Sequence, residues 1–124
     1  MIIGTGVDLV SIDRIEKIYL KYPDKFLSRI FSDLEKENFT RIGSPISSLA
    51  ARFAAKEAVL KAIGCGIGPA AFIEVEIIAL PGQQPRVKLY GEALRFAGDK
   101  KIKNIALSIS HEPPFACAFA IAFR

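Results

Sequence analysis

The strongest pattern along the chain is a run of small and apolar residues that predicts one long helix. The helix is expected to have Pro45 at its first position and to end at Gly64. Six alanines within this run favour a helix and leave a thin surface that other elements can approach closely. Helical spacing of three and four residues places Glu57 on the same face as Phe53 and Leu60. This spacing predicts that a carboxylate lies within the apolar stripe of the helix.

Elsewhere, the alternation of polar and apolar residues predicts a sheet and several shorter helices. The first ten residues are almost wholly apolar and rich in β-branched side chains, as in a buried strand, yet they include Asp8. The last strand alternates alanines with larger apolar residues, so its alanine face is expected to pack against the long helix. The other predicted elements are helices at about 12–22, from 23, at 32–41 and at 91–100, and strands at 72–80, 85–90 and 105–110. The prediction is a single α+β domain, 1–124, with a mostly antiparallel sheet packed around one long helix.

Composition and charge narrow the possible partners of this domain. The chain has 124 residues, 51% of them hydrophobic, so part of its apolar surface is expected to be covered by copies of itself. The net charge of +4 favours an anionic partner, which the charge alone does not identify. No apolar run reaches the roughly 18 to 20 residues of a membrane helix, and no signal peptide is recognised. Two cysteines are therefore expected as free thiols in a reducing cytoplasm.

Two carboxylates in apolar surroundings are the candidate chemistry. An ionised carboxylate removed from water costs several kcal/mol unless cations or hydrogen-bond donors replace its hydration, so Asp8 and Glu57 both need partners. One interpretation is a helical ion pair between Glu57 and Lys61, four residues apart, which stabilises a helix by a few tenths of a kcal/mol. The other is that Glu57 holds a metal ion, with Asp8 as the second carboxylate, while Lys61 meets an anion.

Three segments carry a resemblance to a known family. They are Gly4-x-Gly6-x-Asp8 followed by Arg14-Ile15, the helix segment Arg52-Phe53-Ala54-x-Lys56-Glu57-Ala58-x-x-Lys61-Ala62-x-Gly64-x-Gly66-Ile67-Gly68, and Ser108-Ile109-Ser110-His111. In this order and separation they resemble the holo-[acyl-carrier-protein] synthases, which belong to the 4′-phosphopantetheinyl transferases. The resemblance covers the whole chain. It implies the 4′-phosphopantetheinyl transferase fold and a homotrimer with active sites between neighbouring subunits.

The resemblance also implies an activity and a set of site residues. The implied reaction transfers the 4′-phosphopantetheine group of coenzyme A to a serine of apo-acyl-carrier protein and releases adenosine 3′,5′-bisphosphate. Asp8 and Glu57 would bind Mg²⁺ and Lys61 would act on the phosphates, with the general base left open. The implied coenzyme A site comprises Arg52, Lys61, Gly64, Gly66, Gly68, Ser110 and His111. Many members have a histidine where this chain has Ala106, so any contact of that histidine must be absent or replaced here.

Simpler interpretations of several residues stay open. Gly64 is explained as well by a helix C-cap, and a lone histidine beside a turn is often ordinary surface. Arg14, Lys17 and Lys21 form a basic stripe that could dock an acidic carrier protein or be a solvated helix face. A metal-dependent nucleotide phosphohydrolase would use the same two carboxylates. An RNA-binding domain is disfavoured, because no basic strand carries an aromatic pair, and no nucleic-acid or membrane partner is expected.

Overall fold

The computed structural model describes residues 1–66, 70–80 and 82–124. Within this part of the chain three strands form an antiparallel sheet in the order β1–β5–β4, built from β1 (Ile2–Ser11), β4 (Asn104–Glu112) and β5 (Phe115–Phe123). Two further strands, β2 (Val75–Ile78) and β3 (Arg86–Leu89), pair as a separate antiparallel hairpin. The helices are α1 (Ile12–Lys21), α2 (Pro23–Ile30), α3 (Asp33–Arg41), α4 (Ile46–Ala62) and α5 (Gly91–Asp99). The α+β architecture predicted from the sequence is confirmed.

Helix α4 lies against one face of the three-stranded sheet, as the small residues of that face allow. The alanines at 116, 118, 120 and 122 of β5 are all buried, whereas the alternate residues of the strand point to the opposite face. On β1, a Cβ added to Gly4 would collide with the carbonyl oxygen of Ala62, and one added to Gly6 would collide with that of Ala58. Glycine at these positions therefore lets the strand backbone lie directly on the helix.

A second core lies on the other side of α4, beneath the N-terminal helices. It is built from aromatic side chains whose rings contact one another in sequence from Phe26 through Phe53 to Phe72, at centroid distances of 6.3 and 5.3 Å. Helix α3 begins at a capping box in which Ser32 and Glu35 exchange backbone and side-chain hydrogen bonds. Because it packs between two cores, α4 is buried on nearly all sides.

A buried ion pair anchors α4 on this second side. Lys56 is fully buried, and its Nζ donates to Glu35 Oε1 at 2.8 Å and to the carbonyl oxygens of Phe72 and Val75. Glu35, 4% exposed, also accepts from the backbone N–H of Ile77 at 2.9 Å. The pair therefore joins α3, α4 and the β2 strand through hydrogen bonds that satisfy both charges.

Three local expectations need correction. Pro45 is the extended N-cap residue of α4 and not its first helical residue. The strand expected at 72–80 is shorter, because Phe72–Glu74 form a 3₁₀ turn ahead of β2. Glu57, expected within the apolar stripe, is only partly buried, whereas its neighbour Lys56 is fully buried. The sequence also predicts a turn at Pro81-Gly82 between the second and third strands, and Pro81 lies outside the described residues.

No helix in the described ranges is long and apolar enough to cross a bilayer.

Candidate active site

The packing of β1 on α4 brings Asp8 and Glu57 together at the mouth of a pocket. Asp8 follows Gly4 and Gly6 on the strand face that contacts the helix, and it is 9% exposed. Glu57 lies one turn before Lys61 on α4. The pocket has a volume of about 290 Å³ and is lined by both carboxylates together with Arg14, Ile18 and other residues of β1 and α1. Two residues separated by 49 positions in the chain thus share one site, as the sequence predicted.

Lys61 contacts Asp8 and not Glu57 in the described structure. Its Nζ lies 3.3 Å from Asp8 Oδ1 and donates to the carbonyl oxygen of Val7 at 2.9 Å. The helical ion pair between Glu57 and Lys61 that the sequence left open is therefore not formed. Asp8 Oδ2 is buried and has no hydrogen-bond partner among the described residues. One face of the Asp8 carboxylate is thus available for another positive ligand.

The environment of Glu57 favours its protonated form. Burial raises the pKa of Glu57 to about 7, and the neighbouring Asp8 adds to this rise through its charge and through a hydrogen bond that a shared proton would make. The positive charges of Lys61 and Arg14 oppose the rise. Two carboxylates this close repel each other when both are ionised, so the pair is ready to accept a cation.

The donor set fits Mg²⁺ better than a metal that needs many protein ligands. In the described residues no cluster of three or more histidine, cysteine or acidic side chains could hold a metal ion. Two carboxylates, one with a buried oxygen that no described residue contacts through a hydrogen bond, match the way Mg²⁺ is held, by one or two protein oxygens with the remaining positions filled by water or substrate phosphate. Asp8 and Glu57 are the residues that would hold the ion.

The basic stripe predicted on α1 runs from the pocket outwards. Arg14 lines the pocket with the carboxylates, whereas Lys17 and Lys21 are exposed further along the helix. The surface continues onto α2, where Lys25 and Arg29 border a shallow apolar groove of about 150 Å³ lined by Ile18, Tyr22, Phe26 and Ile30. The structure thus adds two cations and an apolar groove to the predicted stripe.

The residues expected to line a coenzyme A site are only partly brought together. Gly64 ends α4 with φ of +76°, and the N–H groups of Gly64 and Cys65 bond back to the carbonyls of Lys61 and Leu60, which is a Schellman C-cap. Gly66 follows it on the surface, and Gly68 lies outside the described residues. Arg52 lies in a different pocket, of about 490 Å³, with Arg41 and Asn38, and its guanidinium donates to Ser48.

Ser110 and His111 lie away from the carboxylates within one chain. They belong to β4, which is separated from β1 by β5, so about 10 Å of sheet lies between them and Asp8. Ser110 is level with Leu9 and Cys117 and lines a groove of about 310 Å³ with them on the outer face. Ala106, the position at which the resemblance implies a histidine, lines a separate polar cleft of about 650 Å³ that contains Arg86 and Lys103.

Sequence reasoning missed the buried Lys56–Glu35 pair. A lysine beside a glutamate in a helix is typical of a solvated face, and the prediction from helical spacing concerned only Glu57. The available signal was that Phe53, Val59 and Leu60, at helical spacings of three and four residues from Lys56, are all apolar.

Comparison with known proteins gives one consistent result. Residues 4–120 match the family model described as the 4'-phosphopantetheinyl transferase superfamily. The holo-[acyl-carrier-protein] synthase of Natranaerobius thermophilus is 45% identical over 121 residues, covering 98% of this chain and 97% of that protein. The crystal structure of the Neisseria meningitidis holo-[acyl-carrier-protein] synthase has a TM-score of 0.88 at 37% identity and covers 100% of both chains. The Helicobacter pylori enzyme, solved in complex with coenzyme A, has a TM-score of 0.84 at 34% identity, covering 96% of this chain and 99% of that one.

The fold, the paired carboxylates and the family match define a 4′-phosphopantetheinyl transferase. The chain belongs to that superfamily, and its relatives place it among the holo-[acyl-carrier-protein] synthases.

Proposed function

We propose that this chain transfers the 4′-phosphopantetheine group of coenzyme A to a serine of apo-acyl-carrier protein, using Mg²⁺ held by Asp8 and Glu57. The serine Oγ forms a bond to the β-phosphorus of coenzyme A. The bond from that phosphorus to the bridging oxygen breaks, and adenosine 3′,5′-bisphosphate leaves. The serine proton passes to a base, which the structure leaves open. The observation that carries the proposal is the buried Asp8 Oδ2 beside Glu57, which has no hydrogen-bond partner among the described residues, in a chain whose relatives are named as this enzyme.

The residues around the carboxylates have separate roles in this proposal. Mg²⁺, when bound, would withdraw charge from the pyrophosphate and stabilise the leaving phosphate. Lys61 is 55% exposed at its side chain and can supply a fixed positive charge to the same phosphate oxygens. Arg14 lines the pocket and begins the basic stripe, so in this proposal the carrier's serine enters beside it.

The transfer is tested by incubating the protein with Mg²⁺ and coenzyme A, with and without apo-carrier protein. Intact-mass analysis should show the carrier gaining one phosphopantetheine, and adenosine 3′,5′-bisphosphate should appear only when the carrier is present. Asp8→Asn and Glu57→Gln should each remove most of this activity while the protein stays folded, since each removes one of two carboxylate charges. Release of nucleotide without carrier would instead identify a phosphohydrolase.

The basic stripe is proposed as the docking surface for the acidic carrier. Lys17 and Lys21 continue outward from Arg14, and Lys25 and Arg29 extend the positive surface around the apolar groove of α2. Charges outside the reaction centre mainly speed encounter and fix orientation. This surface is therefore expected to control the KM for carrier and leave the KM for coenzyme A nearly unchanged.

The docking test uses Lys17→Glu with Lys21→Glu, because neither residue lines the carboxylate pocket. The matched control is Lys101→Glu with Lys103→Glu, which changes the net charge equally at residues outside α1 and α2. The stripe variant should raise the KM for carrier and flatten the salt dependence of kcat/KM, relative to the control. Equal losses in both variants would show that only net charge matters.

A homotrimer with shared active sites is also proposed. The sheet face that points away from α4 exposes Val7, Leu9, Phe115 and Phe119 by 44 to 63%, a large apolar surface for a free monomer. The number of subunits, three, is the one that the family resemblance implies. Covering this face with a second copy would allow Ser110 and His111 of one subunit to reach the carboxylates of the next.

Sedimentation tests the assembly, and a mixing experiment tests the shared site. Phe119→Lys should lower the mass measured by analytical ultracentrifugation. Co-refolding inactive Asp8→Asn chains with inactive His111→Ala chains should regain activity if one site draws on two subunits. No regain would confine the site to a single chain.

A cytoplasmic setting is also proposed. Both cysteines, Cys65 and Cys117, are free, which favours a reducing compartment such as the cytoplasm. Loading of acyl-carrier protein places the activity ahead of fatty acid biosynthesis.

A further inference from the structure

The ammonium of Lys61 occupies one side of the Asp8 carboxylate. Lys61 Nζ lies 3.3 Å from Asp8 Oδ1, and the Val7 carbonyl oxygen, 2.9 Å away, accepts a second hydrogen bond from it. The two side chains differ in exposure, at 55% for Lys61 and 10% for Asp8. The acid is therefore held in place by the fold, while the lysine can leave.

The backbone makes this contact possible. A Cβ on Gly6 would collide with Lys61 Cβ as well as with the Ala58 carbonyl oxygen, so the glycine brings β1 against the base of the lysine side chain. The ammonium can then fold back onto Asp8 and the Val7 carbonyl. Glu57 is one helical turn before Lys61, yet it takes no part in the pair.

An ammonium at this position competes with any metal ion for Asp8. A divalent cation held by Asp8 and Glu57 would share the Asp8 carboxylate with the ammonium of Lys61, and like charges that share one carboxylate repel where water is partly excluded. Asp8 Oδ2, which is buried and unpaired among the described residues, is not neutralised by the lysine. Lys61 therefore compensates the site only in part.

We propose that Lys61 is the counter-ion of Asp8 in the free enzyme and exchanges partners when metal and a diphosphate substrate bind, leaving Asp8 for the phosphate oxygens. This inference rests on the proposed metal site and deepens it. The consequence is a thermodynamic coupling between metal binding and diphosphate binding. Lys61 weakens metal binding in the absence of substrate, and the diphosphate, by giving Lys61 a new partner, strengthens it.

The test measures metal binding without turnover. Mn²⁺ serves as the probe, and its free concentration is followed by electron paramagnetic resonance at fixed ionic strength, with and without coenzyme A and with no carrier protein present. Lys61→Met should bind Mn²⁺ about three to ten times more tightly than the wild type without coenzyme A, as expected for losing a partly exposed ion pair and a nearby like charge. The gain in Mn²⁺ affinity on adding coenzyme A should be smaller in the variant by a similar factor.

Matched controls separate the possible results. Lys101→Met removes the same charge from an exposed residue of another element and should bind Mn²⁺ as the wild type does. Lys61→Gln repeats the test with a second side chain, and circular dichroism confirms folding. Unchanged Mn²⁺ affinity in both Lys61 variants, with binding still abolished by Asp8→Asn, would overturn the exchange and leave the metal site intact. Mn²⁺ binding that is insensitive to Asp8→Asn would overturn the metal site itself and the exchange with it.

Discussion

Replacing Lys56 by methionine is the sharpest test of how the helix carrying the site is held. Methionine keeps a similar length and helix propensity but removes the ammonium. Glu35, 4% exposed, would keep its hydrogen bonds from the N–H groups of Ser32 and Ile77, at 2.8 and 2.9 Å. Its negative charge would lose its buried counter-charge, and the carbonyl oxygens of Phe72 and Val75 would lose a donor.

The expected loss follows from the burial of both partners. Breaking a buried ion pair by removing one partner costs about 3 to 5 kcal/mol, because the remaining charge is uncompensated. A chain of 124 residues has an unfolding entropy of about 260 cal/mol/K, at roughly 2.1 per residue. The melting temperature should therefore fall by about 12 to 19 °C. Neutralising the stranded acid as well, in Lys56→Met with Glu35→Gln, should recover part of this loss.

Differential scanning calorimetry at constant protein concentration provides the measurement. The control is Lys36→Met, which breaks the ion pair with Asp33 at 3.2 Å on the surface of the same region and should cost under about 1 kcal/mol. If Lys56→Met melted within about 2 °C of the Lys36 control, the buried pair would not be an anchor and the reasoning from burial would be wrong.

Three further predictions follow from single observations. Gly6→Ala should lower the melting temperature and weaken Mn²⁺ binding together, because its Cβ collides with the Ala58 carbonyl oxygen and pushes β1 off the helix; normal Mn²⁺ affinity would contradict this. Lys101→Gly should raise the melting temperature by about 2 to 4 °C, since Lys101 has φ of +59° and glycine adopts that conformation without strain; calorimetry would detect no rise if the strain is absent. Burial raises the pKa of Glu57 from 4.5 to about 7, so its stabilising effect is complete below pH 4.5 and lost as the pH rises through 7. Solvent screening reduces this effect to about 1 kcal/mol, and metal-free Glu57→Gln, melted across this pH range, should not show it.

Much of the architecture was predictable because its signals are local. The capping box at Ser32, the alanine-rich helix and the alternating alanines of the last strand each depend on neighbours a few residues away. Asp8 and Glu57 could also be paired from the sequence, since each is a carboxylate with apolar neighbours and few alternatives exist in 124 residues. The family resemblance pointed to the same two residues, and the fold brings them into one pocket.

Other features of the structure depend on contacts between segments that are distant in the chain. The periodicity of polar and apolar residues carries no information about such contacts. Lys56 and Glu57 are adjacent, and the sequence by itself did not predict that the lysine is the fully buried one. Lys56 is the buried residue because α3 and β2 pack against its side of the helix. They bring Glu35 and two carbonyl oxygens to its ammonium. A charged side chain can be buried only where hydrogen-bond partners surround it. The partners of Lys56 are 16 to 21 residues away in the chain.

Contacts between distant segments also determine which residue pairs with Lys61. They likewise explain why the residues expected at the coenzyme A site lie on several separate surfaces. Helical spacing offers Lys61 the carboxylate of Glu57, but the close approach of β1 brings Asp8 and the Val7 carbonyl to the ammonium instead. Arg52 and His111 belong to the sequence motifs that carry the family resemblance. In the fold they lie on other surfaces of the same chain. The sequence by itself determined which residue types are present and which local elements they form. Tertiary structure decided which of them meet, because electrostatic and hydrogen-bonding contacts act over a few ångströms of space and not over positions in the chain.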